Sequence, residues 1–96
     1  MTDRMTREEI ELCFSYVLRK KIRGHGWTQR EFAKRTGLSE RTIAYYIYGG
    51  RLPKYEHILI FADVLDCSID ELMQTSDELV RASRDTKSLK IAKKYL

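Results

Sequence analysis

The side chains best suited to chemistry in this sequence are hydrogen-bonding groups that follow Ser39 at helical spacing. Arg41 carries a guanidinium that can donate two parallel hydrogen bonds, which matches the O6 and N7 atoms of guanine. Glu40 can accept from the cytosine amino group, or it can simply favour the positive end of a helix. Tyr45 can contact a thymine methyl group or hydrogen-bond to phosphate. The residues expected beside these three on the exposed face are Thr42 and Ala44. These residue types indicate contact with nucleic-acid bases rather than catalysis.

Two short helical patterns separated by a tight break position these side chains. Thr28 and Glu31 have the spacing of a capping box that opens the first helix, and Gly37 supplies the left-handed conformation that ends it. Ser39 is a favourable N-cap for the second helix, which continues through Ile47. Two helices joined by a short glycine-containing turn form a helix-turn-helix, whose second helix is shaped to enter a DNA major groove.

The spacing of apolar residues supports this arrangement. Five apolar side chains would meet between the two helices: Phe32, Ala33, Leu38, Ile43 and Tyr46. The motif resembles the Cro/CI-type (XRE-like) phage-repressor family in the pattern Gln29, Ala33, Gly37, Ile43 and Gly49, with Pro53 beyond. The resemblance extends from about Val17 to Met73. It implies an all-α, five-helix, lambda-repressor-like DNA-binding domain over residues 1–75, with its motif at residues 28–49.

The resemblance also implies contacts with the DNA backbone. In that family, the residue at the position of Gln29 contacts phosphate through its side-chain amide and a nearby backbone N–H. Three further positions commonly touch phosphate: Ser39, Thr42 and Tyr48. Arg51 and Lys54 join this set on charge alone. Phosphate contacts set orientation and affinity without reading the base sequence, and they make binding strongly salt-dependent.

The end of the second motif helix departs from the family, which commonly has Glu at the position of Ile47 and a polar or basic residue at Tyr48. Residues 45–48 read YYIY, which is unusually apolar for a helix end that faces DNA. One interpretation is that Tyr46 and Ile47 enlarge the core. The other is that Ile47 and Tyr48 form a patch that contacts protein.

Further helical patterns flank the motif. A capping box at Thr6 and Glu9 predicts a first helix to about Arg23. Its last turns carry four cations, which are either solvated or in contact with phosphate: Arg19, Lys20, Lys21 and Arg23. Trp27 precedes the next cap, where packing on the core is favoured over stacking on nucleic acid. A later helix begins at about residue 54 or 55, and its apolar stripe comprises Ile58, Leu59, Phe61, Ala62 and Leu65. A capping box at Ser68 and Glu71 opens a short helix after it.

Residues 76–96 extend beyond the family core. The segment Asp77 to Arg84 has a weak apolar face formed by Leu79, Val80 and Ala82, and it fits a helix. The segment Lys87 to Leu96 alternates lysines with apolar residues and lacks Gly and Pro, so we predict a sixth helix there. Apolar residues in this extension need a partner, which is the domain itself, a second subunit or another protein.

The distribution of charge follows the same division of the chain. A net charge of +4 over 96 residues permits nucleic-acid binding without requiring it. Residues 1–53 hold 11 basic and 6 acidic side chains, residues 54–75 hold 1 and 5, and residues 76–96 hold 6 and 3. Positive charge therefore accompanies the helix-turn-helix and the extension, and an acidic segment lies between them.

Several function classes are disfavoured. Cys13 and Cys67 make neither a disulfide framework nor a zinc site, and Cys13 is expected to be a small buried hydrophobe. His25 is interpreted as a loop residue and His57 as a surface residue. We find no nucleophile–base constellation, metal-ligand spacing or glycine-rich phosphate loop, so we expect no enzyme, metal or cofactor. The sequence has no signal peptide and no membrane-spanning run, which favours a cytoplasmic location.

The leading hypothesis is a sequence-specific transcriptional regulator, specifically a repressor that binds a palindromic operator in double-stranded DNA as a homodimer. A monomer offers few base contacts, so dimerisation is inferred from need. Its expected surfaces are the last core helix and residues 76–96. The alternative is an antitoxin-like or other protein-interaction module whose C-terminal segment binds a protein partner.

Overall fold

The computed structural model describes residues 5–48 and 51–84, and this part of the chain contains six α-helices and no strand. In chain order they are α1 (Arg7–Gly24), α2 (Gln29–Thr36), α3 (Glu40–Ile47), α4 (Tyr55–Leu65), α5 (Ile69–Leu72) and α6 (Asp77–Arg84). The predicted all-α fold is confirmed. Within the described ranges, no helix combines the length and apolar character needed to cross a membrane. Gly49, the last residue of the predicted motif, and the predicted helix over Lys87–Leu96 lie outside the described residues.

Local hydrogen bonds fix the helix ends where the sequence predicts them. Three helices begin with a capping box, in which a hydroxyl accepts from the N3 backbone and the N3 carboxylate accepts from the cap backbone. The pairs are Thr6 with Glu9, Thr28 with Glu31, and Ser68 with Glu71. Helix α2 ends at Gly37, whose φ of 79° is a left-handed conformation that other residues adopt only at a cost.

Three phenylalanines from α1, α2 and α4 form the centre of the core. Phe14, Phe32 and Phe61 are at most 1% exposed. The ring centroid of Phe61 lies 6.3 Å from that of Phe14 and 5.3 Å from that of Phe32. Tyr46 adds α3 to the cluster, with its ring 5.8 Å from Phe61 in an edge-on contact. These ring contacts fix the rotation of α3 against the other helices.

Helix α4 turns a different side to the core than its apolar pattern suggested. The expectation that Leu59 belongs to the core is wrong, because it is 43% exposed. The expectation that His57 is a surface residue is also wrong, since its Nδ1 lies 2.9 Å from the Tyr46 hydroxyl and its ring 6.3 Å from Phe61. His57, Phe61 and Leu65 recur every four residues and therefore lie on one side of the helix.

Aromatic contacts hold the loop between α1 and α2. Trp27 packs against the core, with its ring 6.4 Å from Phe32 and 4.4 Å from the stacked ring of His25. His25 Nε2 donates to the Leu65 carbonyl at 2.8 Å, which ties the loop to the end of α4. The guanidinium of Arg35 covers the Trp27 ring at 4.3 Å. The predicted core packing of Trp27 and the loop position of His25 are both confirmed.

Helix α6 packs along α1 and is part of the folded unit. Val80 and Ser83 are its buried residues, and Leu12 and Cys13 are buried on α1 outside the main core cluster. Cys13 Sγ lies 3.7 Å from the Ser76 carbonyl at the start of α6. The predictions of a helix over residues 77–84 and of a buried Cys13 are therefore confirmed.

Candidate DNA interface

Helix α3 buries one side and exposes the other. Its buried residues are Ile43, Ala44, Tyr46 and Ile47. Tyr46 and Ile47 therefore enlarge the core, and a protein-contacting patch that includes Ile47 is wrong, because Ile47 is only 5% exposed. Ala44 was expected beside the DNA-facing residues, yet it is 0% exposed. The outer side carries Glu40 and Arg41, both exposed, and the half-buried Tyr45.

Ser39 and Thr42 hold the N-terminus of α3. The Ser39 hydroxyl accepts from the Thr42 backbone N–H at 3.1 Å and donates to the Thr42 hydroxyl at 2.9 Å. A hydroxyl has one proton, so Thr42 still has its own proton for an outside acceptor such as a phosphate oxygen. Glu40 occupies the first turn, where a carboxylate also suits the helix dipole.

Gln29 links α2 to both ends of α3. Its Nε2 donates to the Glu40 carbonyl at 3.3 Å, and its Oε1 accepts from the Tyr48 hydroxyl at 3.4 Å. The side-chain amide therefore already sets the relative position of the two motif helices. A primary amide has two N–H groups, so one remains for a phosphate oxygen. The sequence suggested the phosphate contact but carried no signal for this bridging role.

Tyr45 lies beside two arginines on the outer side of the motif. Arg41 Nε donates to the Tyr45 hydroxyl at 3.2 Å, and the Arg51 guanidinium lies 4.9 Å from the centre of the Tyr45 ring. The structure thus brings Arg51 to α3, although only its charge suggested a role. Lys54 stands at the N-cap of α4, where it is exposed and its side chain makes no capping hydrogen bond.

A cleft of about 260 Å³ adjoins Gln29 and Tyr48. Arg19 and Arg23 from the end of α1 line it together with Trp27. Burial, and secondly the neighbouring charge of Arg23, lower the pKa of Arg19. A bound anion would relieve this repulsion, so the cleft suits a phosphate group.

The four cations at the end of α1 therefore divide into two groups. Arg19 and Arg23 line the cleft, whereas Lys21 forms an ion pair with Glu71 of α5 at 2.8 Å. This pair raises the pKa of Lys21, chiefly through the hydrogen bond. Lys20 lies 5.4 Å from the ring of Tyr16. The sequence signalled a cationic helix end, but its periodicity did not show which cations lie beside Gln29.

The fold defines the class: over the residues that the structure describes, an all-helical protein that contains a helix-turn-helix. The sequence model of the Helix-turn-helix family matches residues 18–72, which is more than half of the 96-residue chain. The chain therefore belongs to the Cro/CI-type (XRE-like) helix-turn-helix family, a family of DNA-binding transcriptional regulators. The family predicted from Gln29, Ala33, Gly37 and Ile43 is confirmed.

A similar fold occurs in the crystal structure of a hypothetical transcription factor, NHTF, from Neisseria. The two structures superpose with a TM-score of 0.68 at 17% sequence identity, covering 85% of this chain and 94% of that chain. At this identity the likeness shows a shared fold. No curated protein matches the sequence.

Proposed function

We propose that this regulator is a repressor that binds a palindromic operator as a homodimer, with α3 of each subunit in the major groove. The observation that carries the proposal is the two-sided character of α3. Its inner side is buried, and Glu40 and Arg41 are exposed near a hydrogen-bonded N-terminus. A helix of this kind docks with its N-terminal side chains against base edges.

Three side chains are assigned to base contacts. Arg41 donates to O6 and N7 of guanine, and a good bidentate pair of this type contributes about 1–3 kcal/mol of discrimination. Glu40 accepts from the cytosine amino group, and Tyr45 lies within the same surface. Six residues are assigned to phosphate contacts: Gln29, Ser39, Thr42, Tyr48, Arg51 and Lys54. Gln29 and Thr42 each keep a proton for a phosphate oxygen, and Arg51 and Lys54 are cations. Ser39 and Tyr48 would have to turn their hydroxyl protons from Thr42 and Gln29 to phosphate. The basic cleft at Arg19 and Arg23 extends this set.

Dimerisation follows from the small number of base contacts in one subunit. Specific protein–DNA complexes have dissociation constants of roughly 10⁻⁸ to 10⁻¹¹ M, which two recognition helices reach more readily than one. Two symmetry-related helices about 34 Å apart read half-sites one turn of DNA apart.

We assign the dimer contact to α5 and residues 76–96, where Leu79 and Ala82 of α6 remain partly exposed. A bound dimer over a promoter represses by excluding polymerase.

Selection of binding sites from random duplexes tests this function. We expect two inverted half-sites whose centres lie about 10 base pairs apart. In the same assay Arg41→Ala should relax preference at one base position in each half-site. Lys34→Ala, which removes an exposed cation from α2, is the matched control and should leave the selected sequence unchanged.

Three results would each overturn a part of the proposal. Failure to enrich any sequence, even at low salt, would reject specific DNA binding. A single half-site bound by a monomer in sedimentation would reject the dimer. Transcription from a promoter that overlaps the selected site should fall when the protein is added, whereas a rise would indicate an activator.

A further inference from the structure

Tyr45 contacts two guanidinium groups that arrive from different parts of the chain. Arg41 lies one turn earlier in α3, and its Nε donates to the Tyr45 hydroxyl at 3.2 Å. Arg51 follows α3, and its guanidinium carbon lies 4.9 Å from the ring centre of Tyr45. In the part of the chain that the structure describes, neither arginine forms an ion pair. Both guanidinium groups therefore take their position from the same tyrosine.

The atom that Tyr45 engages on Arg41 matters for base recognition. Arginine presents five N–H groups in a planar fork. Because Nε–H points to Tyr45, both terminal amino groups remain for an outside acceptor. Those two groups can donate end-on to O6 and N7 of one guanine. A freely rotating arginine would lose side-chain entropy when it adopts this orientation on binding DNA. Arg41 already has this orientation in the free protein, so binding costs it less entropy.

We propose that Tyr45 is a positioning residue that sets base specificity through Arg41 and holds Arg51 for phosphate. This inference rests on the proposed function, and it replaces the base contact assigned to Tyr45 there with a role that acts through Arg41. A direct contact would give Tyr45 a base position of its own. A positioning role gives it an effect only at the base that Arg41 reads.

The two halves of Tyr45 serve the two arginines differently. The hydroxyl accepts from Arg41, whose guanidinium carbon also lies 5.8 Å from the ring centre, whereas Arg51 contacts the ring alone, at 4.9 Å. Tyr45→Phe removes the hydroxyl and keeps the ring. Tyr45→Leu removes both. The half-buried position of Tyr45 allows both substitutions without opening the core.

The first experiment uses the free protein. In wild type, the Arg41 Nε–H resonance should exchange slowly with water, because the proton is hydrogen-bonded. In Tyr45→Phe it should exchange as fast as that of the exposed Arg30 of α2. Equal exchange of the Arg41 proton in both proteins would overturn the proposal, whatever the DNA affinity. The full chain is used, and circular dichroism checks that each variant folds.

The second experiment measures dissociation constants for the selected operator and for operators altered at single positions. At the base position that Arg41 reads, Tyr45→Phe should lower the preference for the selected base over the others by about threefold to tenfold, which is the effect of one hydrogen bond. In a protein that already carries Arg41→Ala, Tyr45→Phe should cause no further loss of this preference. Tyr45→Leu should also reduce the dependence of log affinity on log salt by up to about 0.9, since one phosphate contact is weakened.

The outcomes separate this proposal from the proposed function. If Arg41→Ala weakens the base preference at one operator position and Tyr45→Phe binds as wild type does, the proposed function stands and the positioning role of Tyr45 is rejected. If Tyr45→Phe changes a different base position, Tyr45 reads that base directly and the positioning role is again rejected. If wild type prefers no sequence, the proposed function itself fails.

Discussion

Tyr46 and His57 join the recognition helix to α4 through a hydrogen bond of 2.9 Å between the tyrosine hydroxyl and Nδ1 of the histidine. The Tyr46 ring is 5% exposed and also meets Phe14 and Phe61 edge-on. A buried hydroxyl without a partner is costly, so the bond both stabilises the core and fixes how α3 is turned. The outward direction of Arg41 thus depends on an interaction on the opposite side of its helix.

Removing the Tyr46 hydroxyl should weaken the fold. We expect Tyr46→Phe to lower the free energy of unfolding by about 0.5–1.5 kcal/mol, the usual net contribution of one hydrogen bond. Urea unfolding followed by circular dichroism measures this change. Tyr55→Phe is the matched control, because Tyr55 is 66% exposed on α4 and its hydroxyl should contribute nothing. Equal losses in the two variants would contradict a specific role for the Tyr46–His57 bond.

The same tyrosine predicts a dependence of stability on alkaline pH. Burial raises the pKa of the Tyr46 phenol, and the backbone of Lys54 opposes this only in part. Because the folded pKa lies above the unfolded value of roughly 10, the stabilisation is full below pH 10 and is lost as pH rises through the folded pKa. Wild type should therefore lose stability above pH 10 more steeply than Tyr46→Phe. Parallel curves for the two proteins would be the contrary result.

Local signals in the sequence were sufficient to predict the helices. Capping pairs such as Thr28 with Glu31, and the stop at Gly37, depend only on residues a few positions apart. The outward placement of Glu40 and Arg41 was also predictable, because Ile43, Tyr46 and Ile47 leave one side of α3 polar. The expectation that Ala44 lies on the exposed side was wrong, because alanine is small enough to occur on either the buried or the exposed side of a helix.

Contacts that depend on how helices are turned could not be predicted. Residues 58–62 are all apolar, so the pattern of α4 did not show that His57 faces Tyr46 and Leu59 faces solvent. The bridge from Gln29 to both ends of α3 likewise depends on a backbone carbonyl and a tyrosine hydroxyl, whose pairing has no periodic signal in the sequence. Such pairs follow from tertiary packing, which fixes each helix against neighbours distant in sequence.

Gln29 should affect binding to all DNA sequences equally. Gln29→Ala removes the bonds to Glu40 and Tyr48 and one proposed phosphate donor. We expect affinity to fall about threefold to tenfold on operator and random DNA alike, with an unchanged salt dependence because glutamine carries no charge. Tyr48→Phe removes the hydroxyl that donates to Gln29 but keeps both N–H donors of the Gln29 amide, so it should give a smaller loss. Unaltered affinity of Gln29→Ala would remove this residue from the interface.

Two cations at the end of α1 provide a matched comparison of the basic cleft. Arg23 lines the cleft beside Gln29, whereas Lys21 pairs with Glu71. Arg23→Ala should therefore reduce the slope of log affinity against log salt by about 0.9, and Lys21→Ala should leave it unchanged. Titrations between about 50 and 200 mM salt measure both slopes. The same slope change in both variants would mean that net charge, rather than the cleft, attracts DNA.

The dimerisation proposal for residues 76–96 needs a truncation that respects the fold. Deleting all of them removes α6, whose Val80 is 5% exposed beside α1, so any loss of dimer would be confounded by loss of stability. Deleting residues 85–96 leaves α6 intact. We expect this shorter deletion to lower the dimer fraction in sedimentation and to leave the urea midpoint unchanged.

Val80→Ala is the control for stability. It should lower the free energy of unfolding by about 2 kcal/mol through lost apolar burial, while the folded protein still dimerises. A full dimer fraction after deletion of residues 85–96 would instead assign the interface to α5 and the outer side of α6.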